Sequence, residues 1–576
     1  MATRAMLRQR IRKPAYGRWR AISLTLVYVF FVIHFLHWKI AGKTLAPLEL
    51  HEVMYTLELG VVTAGFLFMT LAALSTFVGG RFFCSWLCHF LALQDLCAWL
   101  LKKLKIKPKP VRSRFLPWVA WGTFFYMFLY PTLRRLAMGE PSPKWHIVSD
   151  PHSWSSFITA DLWRNLPGPT ITILTFSICG FLIVYLLGTR SFCQFICPYG
   201  VFFGIGDRFA TGRIRLDSTR ATRQDCLACG LCTAECQSHI RVHEEVARYG
   251  AVVNPNCLKD LDCVAVCPRE ALRFGWGAPS WLRSPHKARS YDFSLLEEGL
   301  MTIMFFAGLF TFRGLYDAVP FLMGVGAAVC LAFLSLMAVR LIIREHVRLN
   351  NFQLKRGGRF TLQGRFAMSF LAALGAFTVH SAFIRYHEFR GTQIFDQIRV
   401  SHSSDKEQVK QAVRHLEFVH RMGFFRSLPL EQKLASLHSV LGDSERTLEH
   451  LEHVVARDSR DIEARVRLGG VLLRQGRWAE AVSHLTFATS LRTKRVEEQR
   501  RYQQLRAEAW ELLGSLNVFH KNWSEAIRCY QLAIQEDPKR LQSYFYLAKT
   551  YEVLGLIEQA EAVRRAAEET ERNRGD

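Results

Sequence analysis

Acidic residues are scarce at the start of this chain. The first 20 of its 576 residues hold seven Arg or Lys and no Asp or Glu, and the whole sequence sets 74 basic residues against 49 acidic ones, a net charge of +25. A nucleic-acid partner does not follow from that charge, because the basic residues are dispersed over stretches flanking apolar runs and form no single patch. No Ser/His/Asp constellation is present, and neither is a flavin or nicotinamide motif. The Gly324-Val325-Gly326 triplet lies inside an apolar run with no strand–helix context, which removes it as a nucleotide loop. No small-residue cleavage motif of the A-x-A kind follows closely on the first apolar run, AISLTLVYVFFVIHFLHWKI. That run approaches the about 20 residues a spanning helix needs, so it reads as an uncleaved anchor.

Apolar residues are abundant. Half of the sequence is hydrophobic, with 43 Phe, a composition that suits a membrane protein with basic loops. Further runs cover about 57–79, 115–133, 170–188, 296–316, 319–342 and 366–384, giving seven expected spans. The fifth carries Glu297 and Glu298 at its start and Arg313 near its end. Lys and Arg crowd the N-terminus, 81–114, 190–294 and 340–365, while 40–56, 134–165 and 313–318 carry few. The positive-inside rule places the first group in the cytoplasm. Seven crossings then put everything after about 385 outside; a re-entrant fifth run would return it to the cytoplasm.

Fifteen cysteines are present, and their spacing matters more than their number. RFFCSWLCH at 81–89 aligns with RSFCQFICP at 190–198: Arg81 with Arg190, Phe83 with Phe192, Cys84 with Cys193, Cys88 with Cys197. Each stretch follows a pair of apolar runs in the same direction, the pattern of a parallel internal repeat. Positions i and i+4 share a helix face, so each pair offers two sulfurs on one side. Joined by the repeat axis, Cys84, Cys88, Cys193 and Cys197 would make a four-thiolate centre suited to iron–sulfur, copper(I) or zinc. The alternative is four small core residues. His89 stands where the second copy has Pro198, as an extra ligand, a proton donor or an interfacial side chain. Cys97, Cys179, Cys330 and Cys529 lack such partners and read as packing residues. His34, His37 and His380 read as interfacial.

Seven cysteines crowd into one polar stretch, a metal-ligand spacing that asks for a reducing compartment. CLACGLCTAEC gives Cys226-x2-Cys229-x2-Cys232-x3-Cys236, and CLKDLDCVAVCP supplies Cys257, Cys263 and Cys267 before Pro268. The pair of runs resembles a bacterial two-cluster ferredoxin, and a zinc ribbon fits it less well. That resemblance implies a crossover. Cys226, Cys229, Cys232 and Cys267 would hold one [4Fe-4S] cluster, and Cys236, Cys257 and Cys263 would share the second site with Asp260, which stands where a Cys is usual. The second site would carry its fourth iron on an oxygen ligand, hold a [3Fe-4S] cluster, or stay empty. Gln237 replaces the usual Pro after Cys236.

Residues 430–576 are nearly neutral and repetitive. Gly514 and Ala548 are 34 apart, as are Ala526 and Ala560, and Ala533 and Ala567. Gly469, Trp478, Ala481 and Ala488 match Gly514, Trp523, Ala526 and Ala533 at a separation of 45, and Ala435 lies 34 before Gly469. With Pro538 past a helix end, the pattern resembles about four tetratricopeptide repeats, the first degenerate, which stack into an array with a concave face for protein partners. A plain helical bundle is the alternative.

The two CxxxC elements after paired spans, with a ferredoxin-type segment behind the second, resemble the membrane polyferredoxin family over roughly 20–275. That family includes the membrane quinol-dehydrogenase component of periplasmic nitrate reductase, the nitrous-oxide-reductase maturation protein and the cytochrome-oxidase assembly ferredoxin. His89 and Asp260 depart from its pattern. The resemblance implies a bacterial inner-membrane protein moving single electrons, often between a quinol or cytoplasmic donor and a periplasmic acceptor. It leaves open whether the chain is itself part of a quinol-linked oxidoreductase. The expected architecture is mostly α: a membrane domain at 1–215, a ferredoxin-like domain at 216–277, three more spans at 278–386, a linker at 387–429 and repeats at 430–576. Two other functions fit the same residues: a metal-handling assembly factor for a respiratory enzyme, and a redox sensor that signals through the repeats.

Overall fold

The computed structural model describes residues 16–572 except 47, 49–51, 154, 239, 282, 284–290, 402–404 and 494–495. The chain divides into two units, Met1–Val379 and His380–Asp576. Helices dominate both, and strands form only three small antiparallel sheets among the described residues.

Among the described residues, five helices are long and apolar enough to cross a membrane: Tyr16–Ala41, Pro169–Leu187, Leu295–Phe312, Phe321–Ile343 and Leu362–Ser401. The expected spans at 57–79 and 115–133 take other forms. The first breaks at Gly60, whose left-handed φ of 75° and close approach to the Lys144 carbonyl leave no room for a Cβ. Val61 then bridges to His146, and the helix resumes as Ala64–Gly79, 16 residues or about 24 Å. The second is a helical run over 116–137 with a π-helical turn at Phe125–Leu129, and Arg134 and Arg135 sit near its end.

The connections sort by charge. At one end of the first unit Thr44–Leu45 pairs with Ile158–Thr159, and Arg135 donates to the Leu57 carbonyl at 3.2 Å. At the other, the Lys109 amide donates to Asn350 Oδ1 at 3.0 Å and the Arg112 amide to Asp292 Oδ2 at 2.7 Å. The segments poor in Lys and Arg therefore meet one another, and so do the rich ones.

The fifth run is a complete helix packed along Phe321–Ile343, not a re-entrant turn. Its two acids serve its N-terminus. Ser294 and Glu297 form a capping box, Arg340 donates to Glu297 Oε1 at 2.7 Å, and the Arg114 amide donates to Glu298 Oε1 at 2.8 Å. Phe321–Ile343 is the most enclosed span, and Val329, Ala332 and Leu336 are buried in the largest core cluster. Cys179 and Cys330 pack in that core, and Cys97 beside it, as expected of unpartnered cysteines.

The second unit corrects the expected linker at 387–429. Leu362–Ser401 continues through it, and Lys406–Met422 follows behind an Asp405 cap. Val409, Ala412, Val413, Leu416 and Val419 recur at helical spacing and are buried, so the stretch folds for the usual amphipathic reason. Four antiparallel helix pairs come next, from Leu428–Leu441 with Ser444–Arg457 to Leu541–Val553 with Ile557–Arg572. They stack as a tetratricopeptide-type solenoid. The 45-residue separation exceeds 34 by 11 residues, and the long helix Val496–Phe519 takes up the difference. Small residues mark the crossings: a Cβ on Gly469 would lie 2.5 Å from Leu485, and one on Gly514 2.6 Å from the Tyr530 ring.

Candidate iron–sulfur site

Each CxxxC stretch folds as a short helix followed by a longer one. Phe82–Trp86 precedes His89–Lys103 with Cys88 as the N-cap, and Ser191–Phe195 precedes Pro198–Phe209 with Cys197 as the N-cap. Cys84, Cys88, Cys193 and Cys197, from two stretches 109 residues apart in sequence, share one core cluster with Phe83, Tyr199 and Phe203. Burial pushes the Cys88 thiol up to about 12 and Cys197 to about 11, and in each case a neighbouring Cys84 thiolate adds to the cost of ionising. Cys193 is raised well above its usual value by burial, then by Cys197, Cys88 and Cys84. Two buried thiols, Cys84 and Cys193, beside two half-buried ones, Cys88 and Cys197, are a donor set fitted to a soft cation, which removes the cost of ionising them together. Cys193 also lies 3.9 Å from Gln94 Oε1.

Buried charge surrounds these sulfurs. Arg81 faces Cys84 and Cys193, its Nη1 donates to the Pro255 carbonyl at 3.1 Å, and its amide donates to Asp207 Oδ1 at 3.2 Å. Lys259 Nζ meets the same Asp207 oxygen at 2.8 Å, with both side chains essentially excluded from solvent. Arg190 is fully buried and lies 2.9 Å from Asp95. Arg20, from the first span, bonds Asp262 at 3.1 Å and approaches Asp95 at 3.6 Å. The sequence aligns Arg81 with Arg190, three residues before each first Cys, but gives neither a role, and nothing in it marks Arg20, Asp95, Asp207, Lys259 or Asp262. That match was the available signal.

The polar insert is closed by a strand pair, Gly212–Leu216 with Leu272–Trp276, so it begins slightly before residue 216. Thr222 and Asp225 cap the helix Arg223–Cys229, and Gly230 in the left-handed region turns the chain before Leu231–Glu235. Cys226, Cys229, Cys232 and Cys267 line one cleft, together with Gly230 and Pro268. The Ala271 amide points at Cys267 Sγ from 3.3 Å. A sulfur-lined cleft with a backbone donor fits a [4Fe-4S] cluster.

The structure places Cys236, Cys257, Asp260 and Cys263 in a second group. Cys263 is raised far above the usual thiol range by burial, then by Cys257, Asp260 and Cys236. Burial raises Cys236 to about 12, with Asp260 and then Cys257 adding to it. Asp260 is buried between two non-glycine residues in the left-handed region, Lys259 at φ 58° and Leu261 at φ 64°. Such backbone costs about 1 kcal/mol or more per residue. It is held by the Lys259–Asp207 contact and by Trp86 Nε1, which donates to the Lys259 carbonyl at 3.1 Å. Three thiols and one carboxylate thus converge.

Both runs of the insert dock on the CxxxC stretches. Trp86, between Cys84 and Cys88, holds Lys259. Gln194, between Cys193 and Cys197, donates to the Ser238 carbonyl at 3.2 Å, and Thr189 donates to the Gln237 carbonyl at 3.3 Å. The other residues considered from sequence stand apart. His89 is exposed with its ring on Phe90. His34 and His37 bond the Leu45 carbonyl and the Thr44 hydroxyl, and His380 bonds the Met422 carbonyl. Cys529 is buried within the helical array.

Comparison with known proteins agrees with this geometry. Residues 61–108 and 170–216 match the family model of a 4Fe-4S binding domain, one match over each CxxxC stretch. A methylamine utilization ferredoxin-type protein, MauN of Methylobacillus flagellatus, is 27% identical over 182 residues, covering 31% of this chain and 52% of MauN. The putative electron transport protein YccM of Escherichia coli is 24% identical over 38% of this chain and 58% of its own length. The regulatory protein NosR of Stutzerimonas stutzeri is 25% identical over 41% of this chain and 31% of NosR. The chain thus spans little more than half of MauN and YccM. Solved structures of MamA, 20% identical, cover 31% of this chain and 96% of their own at a TM-score of 0.25. This chain carries a 4Fe-4S binding domain and is similar to the ferredoxin-type electron transport proteins.

Proposed function

We propose that this chain is a bacterial inner-membrane carrier of single electrons, working between a quinol or cytoplasmic donor and a protein partner held by the helical repeats. The observation that carries this reading is the continuity of the sulfur groups. Cys226, Cys229, Cys232 and Cys267 form the first, Cys236, Cys257, Cys263 and Asp260 the second, and Cys84, Cys88, Cys193 and Cys197 the third, with Trp86 and Gln194 bonding the insert to the last. A [4Fe-4S] cluster, when bound, supplies one-electron storage without acid–base machinery. The residues supply spacing, burial and compensating cations such as Arg81 and Arg190. We place the insert in the cytoplasm, because its neighbours 81–114 and 340–365 are the Lys- and Arg-rich connections. The last span starts at that basic end, so we place the repeats in the periplasm. We assign the quinol headgroup to the cleft lined by Tyr126, Tyr130, Arg134, Arg135 and Glu58, whose side chains offer aromatic and hydrogen-bonding groups.

The test is to purify the full chain anaerobically, record EPR, and add a reduced quinol analogue. Reduction of the iron–sulfur signals supports the proposal; protein without iron and acid-labile sulfide ends it. The similarity to a regulatory protein favours one second reading, a redox sensor. Partner capture by the repeats that changes with redox state, with no quinol-driven turnover, would select it.

A further inference from the structure

In the second unit three successive helices bring metal-ligand side chains to one point. His420 lies in the last turn of Lys406–Met422, Glu431 in the first turn of Leu428–Leu441, and His450 midway along Ser444–Arg457. His420 Nδ1 is 2.9 Å from Glu431 Oε1, and His450 Nδ1 is 2.6 Å from Glu431 Oε2. One ligand atom from each residue falls within 4.8 Å of the other two, and Glu431 and His450 are buried. The two imidazoles stand nearly perpendicular, at 85° with centroids 5.1 Å apart. A fourth group is close. His438 is 2% exposed, stacks on His450 at 5.5 Å, and has both ring nitrogens without a hydrogen bond. Its Nε2 is 3.3 Å from Glu417 Oε1 but poorly aligned with it.

We propose that His420, Glu431 and His450 form a binding site for a divalent transition-metal ion of the zinc class. Two imidazoles and one carboxylate are a common zinc donor set, leaving a fourth position for water or a further side chain. Bonds of about 2.0–2.1 Å in tetrahedral geometry separate ligand atoms by roughly 3.3 Å, so side-chain shifts of under about 1 Å admit the ion. The mixed nitrogen–oxygen set differs from the sulfur-rich groups of the first unit, and it suits zinc where they suit iron–sulfur or copper(I). The site clamps three helices at the start of the array, where a repeat lacks a preceding neighbour to cover it, and so acts as a cap. A hydrogen-bonded His–Glu–His triad with no ion is the competing structure. It uses the same atoms but takes up no metal.

The experiment uses the full chain, purified anaerobically with its iron retained, equilibrated with Zn²⁺ and desalted. Zinc and iron are counted together in the wild type, E431Q, the double variant H420N/H450N, and the control H453A. The expected result is one more zinc per chain in the wild type and H453A than in E431Q and H420N/H450N, with iron equal in all four. Zn²⁺ should also raise the melting temperature of the helical array in wild type and not in E431Q. E431Q nearly preserves shape and keeps a hydrogen bond to each imidazole within reach, so it separates metal loss from misfolding. Its zinc affinity is expected to fall by about 100-fold or more. Equal zinc in the wild type and E431Q, with no melting shift, overturns the site and leaves the iron–sulfur reading untouched.

Discussion

Arg190 meets Asp95 at 2.9 Å, the arginine wholly buried and the aspartate a quarter exposed. The two come from opposite copies of the internal repeat, since Asp95 lies on the helix that follows Cys88 and Arg190 opens the stretch that holds Cys193. Arg81 and Asp207 answer them in the reverse sense: the arginine of the first copy lies against the aspartate that follows Cys197, through its backbone amide at 3.2 Å. Each copy therefore depends on a carboxylate from the other.

Removing that carboxylate leaves a buried cation unpaired. Asp95→Ala is expected to destabilise the first unit by about 3 kcal/mol, read as a lower melting temperature in detergent. Arg20 loses an acidic neighbour at the same time but keeps Asp262. An unchanged melt would show that the pair contributes nothing.

The four membrane-face thiols are testable singly. Cys84→Ser should abolish one metal centre while the iron held by the insert stays, measured by metal analysis and EPR on matched samples. Wild-type metal content and spectrum in both Cys84→Ser and Cys193→Ser would return these residues to the role of core packing.

Asp260 is the least usual of the expected ligands. Asp260→Cys should make the fourth iron of the second site harder to remove, with chelator-driven loss slowed by about tenfold or more. Asp260→Ala should speed it. Equal rates in all three proteins would mean that the carboxylate touches no metal.

Small residues at the helix crossings set a packing limit in the array. Gly514→Ala places a methyl 2.6 Å from the Tyr530 ring, and overpacking of this kind costs about 1–3 kcal/mol. Gly470→Ala is the matched control, because its added Cβ meets only Leu512 at an ordinary 3.7 Å. Circular dichroism melts should separate the two.

Lys259 neutralises Asp207 inside the interface between the insert and the first CxxxC stretch. Lys259→Met should cost about 3 kcal/mol by stranding part of the Asp207 charge. It should also loosen Asp260, whose neighbour Lys259 holds a left-handed backbone. The combined readout is a lower melt with faster iron loss from the second site alone.

Local pattern alone determined much of this protein. Among the described residues, five of the seven apolar runs form helices long and apolar enough to span a membrane, the cases where length and composition suffice for that reading. Cysteines at the spacing of a ferredoxin loop mark a ligand run within one short segment, whereas the CxxxC pairs do not share a helix face as their spacing predicts: the short helices end at Trp86 and Phe195, and Cys88 and Cys197 cap the next ones. The 34-residue offsets of Gly and Ala mark helix crossings that repeat. Tertiary structure decided what depends on contacts between distant segments. It joined Cys84 and Cys88 to Cys193 and Cys197, and it set Arg190 on Asp95 and Lys259 on Asp207. It also broke the second span at Gly60 against Lys144, whereas the helix at 406–422, where a linker was expected, follows a local period of apolar residues. The long-range outcomes turn on shape and buried charge meeting across 52 to 109 residues, and no periodicity along a single stretch of chain encodes such a meeting.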